Sequence, residues 1–160
     1  MTQQNDFQTQ LTALIHKARM ELGMETAIAS FIEDDNYTIL AVDSIMEGVF
    51  AVGQVFPLQD TYCRAVFETK APVNYYHVAT VESMLQHPVY QAVKLESYIA
   101  APVTNGNNDV IGTLNFTSLE PHRPAFSELE KEMVDALAKD VSVQYQQYQA
   151  LAQTTSKQSQ

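Results

Sequence analysis

The segment Ser97–Ser118, SYIAAPVTNGNNDVIGTLNFTS, constrains the fold more than any other part of the chain. It reads as two extended runs separated by turn chemistry at Asn105-Gly106, the second run carrying Val110, Ile111, Leu114 and Phe116. Asn-Gly supplies the positive φ values of a tight hairpin turn, and the apolar flanks give both strands a face to bury. Further strands are expected upstream. Thr26–Ile32 and Tyr37–Val42 are β-prone runs joined by Glu33-Asp34-Asp35-Asn36, a turn composition. Val49–Val52, between Gly48 and Gly53, predicts another strand, and Ala71-Pro72-Val73-Asn74-Tyr75 a short edge strand where proline is tolerated.

Helices bracket this β-rich middle. Phe7, Leu11, Leu14 and Ala18 form one apolar stripe over residues 5–22, with Gly23 as its stop. Asp60 is placed to cap a short helix running to about Glu68, and Pro88 suits the first position of another running to about Glu96. Ser127 and Glu130 make the S-x-x-E pattern of a capping box, so a helix starts there and runs to about Leu151. Val134, Leu137, Val141, Tyr148 and Leu151 fall on heptad a and d positions, with Gln144 as the polar exception. The tail from Gln153 is polar and expected to fray. Neither an internal repeat nor a linker interrupts the 160 residues, which read as a single domain. Helix, strands broken by short helices, hairpin, long helix: the order is α+β, with terminal helices on one face of an antiparallel sheet.

Composition narrows the partners. Nineteen acidic against nine basic residues give a charge of −10, and the basic residues are scattered singly. Such a surface repels phosphate backbones and anionic headgroups, so neither nucleic acid nor a membrane surface is an expected partner. The N-terminus has no signal-peptide pattern and no run is long enough to span a membrane, so a cytoplasmic location is expected.

Three stretches taken in order carry a resemblance. They are Phe56-Pro57-Leu58-Gln59-Asp60-Thr61-Tyr62-Cys63-Arg64, the hairpin, and Phe126-Ser127-Glu128-Leu129-Glu130 opening the last helix. Together they resemble the GAF domain, a sensory module of phosphodiesterases, phytochromes and bacterial signalling proteins, over about residues 22–143. The resemblance implies a profilin/PAS-like fold with a central antiparallel sheet of five or six strands. The terminal helices then pack on one face, while the middle helices and loops, about residues 74–95, roof a small-molecule pocket on the other.

Cys63 is the only cysteine, which excludes an intramolecular disulfide and a cysteine-built zinc site. In the first turn of a helix its pKa is lowered by the helix dipole, and raised by Asp60 and by burial. Bilin-tethering relatives commonly follow their cysteine with histidine. Here Arg64 follows Cys63, so no covalent bilin is expected, nor haem. The resemblance also reaches free methionine-R-sulfoxide reductase, whose chemistry resolves a sulfenic acid with a second cysteine that this chain lacks. A Cys63-dependent redox enzyme or sensor therefore stands as the alternative, beside a purely structural interaction domain. The NKFDE signature of cyclic-nucleotide-binding relatives is not traceable. His16, His77, His87 and His122 have no metal-ligand spacing, His87 suits a helix cap, and Glu33-Asp34-Asp35 lacks the EF-hand alternation, so no metal is expected.

Aromatics give the better indication of a site. Tyr62, Tyr75, Tyr76, Tyr90, Tyr98 and Phe116 fall in segments that the resemblance sets around the pocket, and tyrosines give a cavity apolar walls with polar tips. Asn115 on the last strand needs a partner if it faces inward. The candidate ligand-binding residues are Tyr62, Cys63, Tyr76, His87, Tyr90, Tyr98 and Asn115. The expected function is a non-catalytic sensory domain that binds a small molecule. It would signal through a homodimer of its terminal helices or through a partner protein, no attached output domain being expected.

Overall fold

The structure, a computed structural model, describes the backbone of residues 2–46 and 48–158, and side chains within residues 6–149 apart from residue 47. Helix α1 (Thr2–Leu22) leads into strands β1 (Thr26–Glu33), β2 (Asn36–Ser44) and β3 (Val55–Pro57). Helix α2 (Cys63–Thr69), strand β4 (Val73–Tyr75) and helix α3 (Pro88–Val93) precede strands β5 (Ser97–Thr104) and β6 (Val110–Ser118) and helix α4 (Glu128–Gln158). The six strands form one antiparallel sheet in the order β3-β2-β1-β6-β5-β4. This is the α+β architecture that the sequence and its resemblance imply.

Alternation along the strands divides the core into two layers. Small residues, Ala27, Ala29, Ala41 and Ala101, face the terminal helices and let Leu11, Ile15, Val141 and Tyr145 approach closely. The opposite face presents Ile28, Tyr37, Ile39 and Tyr98 to Leu58, Tyr62, Val66, Val78 and Leu95 beneath the roof. A register shift between Ala29 and Ser30 disturbs the pairing of β1 with β2. Beside it Gly112 presses against β1 so closely that a Cβ there would lie 2.0 Å from the Ser30 carbonyl oxygen. Only glycine fits.

Local signals explain most element ends. Gly23 and Met24 donate their backbone N–H groups to Met20 and Arg19 carbonyls, closing α1. Asp34 and Asp35, at φ 52° and 64°, form the two-residue turn between β1 and β2, which accounts for the acidic run there. Ser127 and Glu130 make both bonds of the capping box, at 2.9 and 3.1 Å.

Five expectations are corrected. The Val49–Val52 strand does not form: Gly48 and Gly53, at φ 77° and 88°, turn the chain away from extended geometry, and pairing resumes only at Val55. Asp60 does not cap α2. It ends a 3-10 turn (Leu58–Asp60), and Tyr62 occupies the cap position without a side-chain bond. Helix α3 stops at Val93 because Lys94 takes the left-handed conformation. At the hairpin tip the positive φ falls on Asn108, not on Asn105-Gly106; Asn105 Oδ1 instead accepts from the amides of Asn107 and Asp109, closing a longer loop. The backbone of α4 continues to Gln158, through residues whose composition predicted fraying.

The expected α4 seam is taken up within the chain. Val134 and Val141 are fully buried against the sheet together with Ala138 and Tyr145, and Tyr148 stacks on Phe7 of α1. The side chain of Leu151 lies outside the described residues. No helix among the described residues is long and apolar enough to cross a membrane.

Candidate functional site

A cavity of about 290 Å³, partly open to solvent, lies between the sheet and α3. Ile28, Tyr37, Phe56, Tyr98 and Thr117 form its floor from β1, β2, β3, β5 and β6. Pro88, Val89, Ala92 and Val93 of α3, with Leu95, form the roof, and Phe50, Asp60, Thr61 and Tyr62 close the side. The roof stands where the sequence sets it because His87 and Pro88 start α3 together. Proline needs no amide partner at that position, and the His87 ring accepts from the Val89 amide at 3.2 Å.

Glu96 ties the roof to the sheet. Its carboxylate accepts from the Tyr90 hydroxyl at 2.8 Å and the Ala79 amide at 3.0 Å, with His77 at 3.8 Å. Its backbone accepts from Val78 and donates to Ser118. One residue thus holds α3, the loop after β4 and the end of β6 in a fixed relation.

Behind the cavity wall lies a buried polar cluster. The Tyr98 and Thr113 hydroxyls each donate to Cys63 Sγ at 3.1 Å. Asn115 Nδ2 donates to the Tyr37 hydroxyl at 2.8 Å and stands 3.4 Å from the same sulfur. Ser30 Oγ lies 2.9 Å from Thr113 Oγ1, and the Ser30 carbonyl accepts from the Tyr145 hydroxyl of α4 at 2.9 Å. The chain of contacts runs from the cavity floor, through the sheet, to a terminal helix.

Burial sets the protonation of this region. Desolvation pushes the Cys63 thiol up, and the bonds from Thr113, Tyr98 and Tyr37 only partly oppose it. The helix-terminus activation considered for Cys63 is therefore overcome by its environment, and the group is a thiol at neutral pH. Desolvation likewise raises Tyr37 and Tyr98 well above the ordinary range, with Cys63 adding to both. Tyr62 is raised by desolvation and then by the Glu96 charge. Partial burial lowers His87, against the opposing pull of Thr61 and Asp60.

The structure brings some of the sequence-derived candidates together and separates others. Tyr62 and Tyr98 line the cavity, with ring centroids 5.3 Å apart. Cys63 and Asn115 sit in the polar cluster behind the wall. The His87 ring packs edge-on against Tyr62 at the rim. Tyr90 points to Glu96, and Tyr76 is exposed on the surface; neither lines the cavity. Phe116 faces the terminal helices instead of the cavity. Sequence reasoning missed Ile28, Tyr37, Phe50, Phe56 and the apolar side of α3. For Ile28 and Tyr37 the signal was present as strand alternation, but which face met the roof required the sheet order. Phe50 arrives from a loop read as a strand and had no such signal.

A profile of the family described as GAF domain matches residues 4–143. The fold is similar to that of type II free methionine-R-sulfoxide reductase from Thermoplasma acidophilum, with TM-score 0.71, 17% identity, and 89% of this chain and 94% of that one covered. It is also similar to the blue-light absorbing form of the Thermosynechococcus elongatus PixJ GAF domain (TM-score 0.70, 16% identity, 98% and 95% covered). The GAF domain of an Acinetobacter phosphoenolpyruvate-protein phosphotransferase gives TM-score 0.74 at 15% identity, with 92% and 86% covered. No curated protein matches the chain in sequence. At these identities the structural likenesses speak for the fold alone, but the profile covers most of the sequence, and the chain belongs to the GAF domain family.

Proposed function

We propose that this GAF domain is a non-catalytic, cytoplasmic sensory or regulatory module that binds a small molecule in the cavity beneath α3. The observation that carries the reading is the cavity itself: about 290 Å³ of space walled by aromatic and aliphatic side chains, with a few polar tips. That volume is at the lower limit of small-molecule sites, roughly 300 Å³ upward, and is too little to enclose a tetrapyrrole. Burial of Cys63 and its protonated thiol argue against the alternative redox chemistry, since the thiolate is the nucleophile in such reactions.

Occupancy has a physical route outward. The cavity floor and the packing surface of the terminal helices are opposite faces of the same strands, and the contacts from Tyr98 through Cys63, Thr113 and Ser30 reach Tyr145 of α4. A ligand biases helix packing only by binding one arrangement better than another. The output is a homodimer or a partner protein that reads the terminal helices. Because Val134 and Val141 are buried, such pairing uses outward residues, among them Met20, Leu129 and Val143.

A thermal-shift screen of small molecules against the wild type and Ala92→Phe tests the proposal, because a compound binding only the folded state raises its stability. Compounds that stabilise the wild type and lose their effect when Ala92→Phe fills the roof support it. A broad screen without a stabiliser, or stabilisers indifferent to Ala92→Phe, contradicts it.

A further inference from the structure

The wall chemistry of the cavity is one-sided. Among the described residues Asp60 is the one charged residue lining it, and no lysine or arginine among them lines it or pairs with that carboxylate. Five aromatic residues, Tyr37, Phe50, Phe56, Tyr62 and Tyr98, stand among its other lining residues. Their ring faces carry partial negative charge.

The hydroxyl protons are largely committed elsewhere. Thr61 donates to the Leu58 carbonyl, Tyr62 to the Leu95 carbonyl and Tyr98 to Cys63 Sγ, which leaves oxygen lone pairs as the polar features these residues offer. The Thr117 hydroxyl, in the same wall, is buried and has no hydrogen-bond partner among the described residues. Apart from Thr117, whose free hydroxyl can donate or accept, the wall offers acceptors, π-faces and one carboxylate, which complement a hydrogen-bond donor bearing positive charge. Phosphate and carboxylate ligands find no cation here and meet Asp60 with like charge.

Resting on the reading of this cavity as a ligand site, we infer that its occupant is a small protonated amine with an apolar body about the size of one aromatic ring. The ammonium group lies toward Asp60 and the apolar body among the aromatic side chains.

Isothermal titration calorimetry on the full chain with phenethylamine, phenethyl alcohol and phenylacetate separates the possibilities, because the three share a body and differ in charge. Phenethylamine is expected to bind about tenfold more tightly than the alcohol, consistent with one partly solvated ion pair, and phenylacetate more weakly than either. Asp60→Asn is expected to bring the amine down to the level of the alcohol and to leave the alcohol unchanged. Equal or tighter binding of the alcohol or of phenylacetate, or an amine affinity indifferent to Asp60→Asn, overturns the amine assignment while leaving the cavity a ligand site. Failure of all three to bind likewise overturns the amine assignment, while the ligand-site reading is decided separately by the broad thermal-shift screen against wild type and Ala92→Phe. The wild-type comparison decides the matter even if Asp60→Asn does not fold.

Discussion

Tyr98, in the floor of the cavity, donates its hydroxyl to the sulfur of Cys63 at 3.1 Å. The bond joins β5 to the first turn of α2 and links the open space under the roof to the polar cluster inside the sheet. Tyr98→Phe removes one of the donors to the sulfur and leaves Thr113 and Asn115 in place. The expected cost is about 1 kcal/mol of stability, read from urea unfolding. With Cys63 only 2% exposed, the native protein should resist alkylation by iodoacetamide until unfolded. Rapid alkylation of the native protein would contradict the burial described.

Thr117→Val is predicted to stabilise the ligand-free protein. Its hydroxyl is buried with no partner among the described residues, and valine replaces it with an apolar group of the same shape. Relief of an unsatisfied polar group contributes about 1 kcal/mol, or roughly 2–4 °C in Tm at this chain length. A lower melting temperature would show that the hydroxyl has a partner in solution.

An acid-sensitive contact joins α1 to β2. Burial alone would raise the Asp43 pKa, but bonds from Arg19 at 2.6 Å and His16 at 2.8 Å outweigh it and hold the carboxyl below its ordinary 3.8. A depressed folded-state pKa stabilises the protein above pH 3.8, and the contribution is lost as pH falls through the folded value. Asp43→Asn should cost about 1 kcal/mol at pH 7, held down by partial exposure, with the difference from wild type vanishing in strong acid. Paired urea titrations at both pH values check this; a difference that persists in acid contradicts it.

At the alkaline end the buried tyrosines govern. Desolvation raises Tyr37, Tyr62, Tyr98 and Tyr145 above their ordinary value of 10.0. A raised folded-state pKa means that their stabilising contribution is complete below pH 10 and declines as pH rises further. Tyrosinate absorbance from these four should therefore appear together with loss of the far-ultraviolet circular dichroism. Their ionisation in a chain that keeps its full dichroism would contradict the packing.

The contacts across the sheet make a coupling prediction. If Ser30 and Tyr145 carry occupancy to α4, then Tyr98→Phe and Tyr145→Phe are non-additive. Their double-mutant cycle should show a coupling energy of about 0.5–1 kcal/mol in urea unfolding, although the residues lie on opposite faces. Additivity within error would remove this route.

The legible parts of the fold were those written in local chemistry. The capping box at Ser127, the proline start at Pro88 and the turn residues between β1 and β2 act within a few positions and stand where the sequence indicates. Errors arose where neighbouring segments decide. Val49–Val52 has strand composition, but the glycines on either side turn it into a loop. Asp60 precedes a helix at capping distance, but the 3-10 turn gives the cap position to Tyr62. At the site, Tyr62 and Tyr98 were found because aromatics in the right segments are conspicuous. Tyr90 and Tyr76 look the same in sequence, and only the position of Glu96 and the surface separates them. The α4 heptad was real as a pattern, but its partner is the sheet of the same chain.

The central claim is that the space beneath α3 receives a small molecule, and methyl-detected NMR tests it most directly. Titration with phenethylamine, phenethyl alcohol and phenylacetate should yield, for at least one of them, saturable shifts concentrated at Ile28, Val89, Ala92, Val93 and Leu95, which line the cavity. Saturable shifts confined to the outer faces of α1 and α4, or no shift at the cavity methyls with any of the three at millimolar concentration, would contradict it.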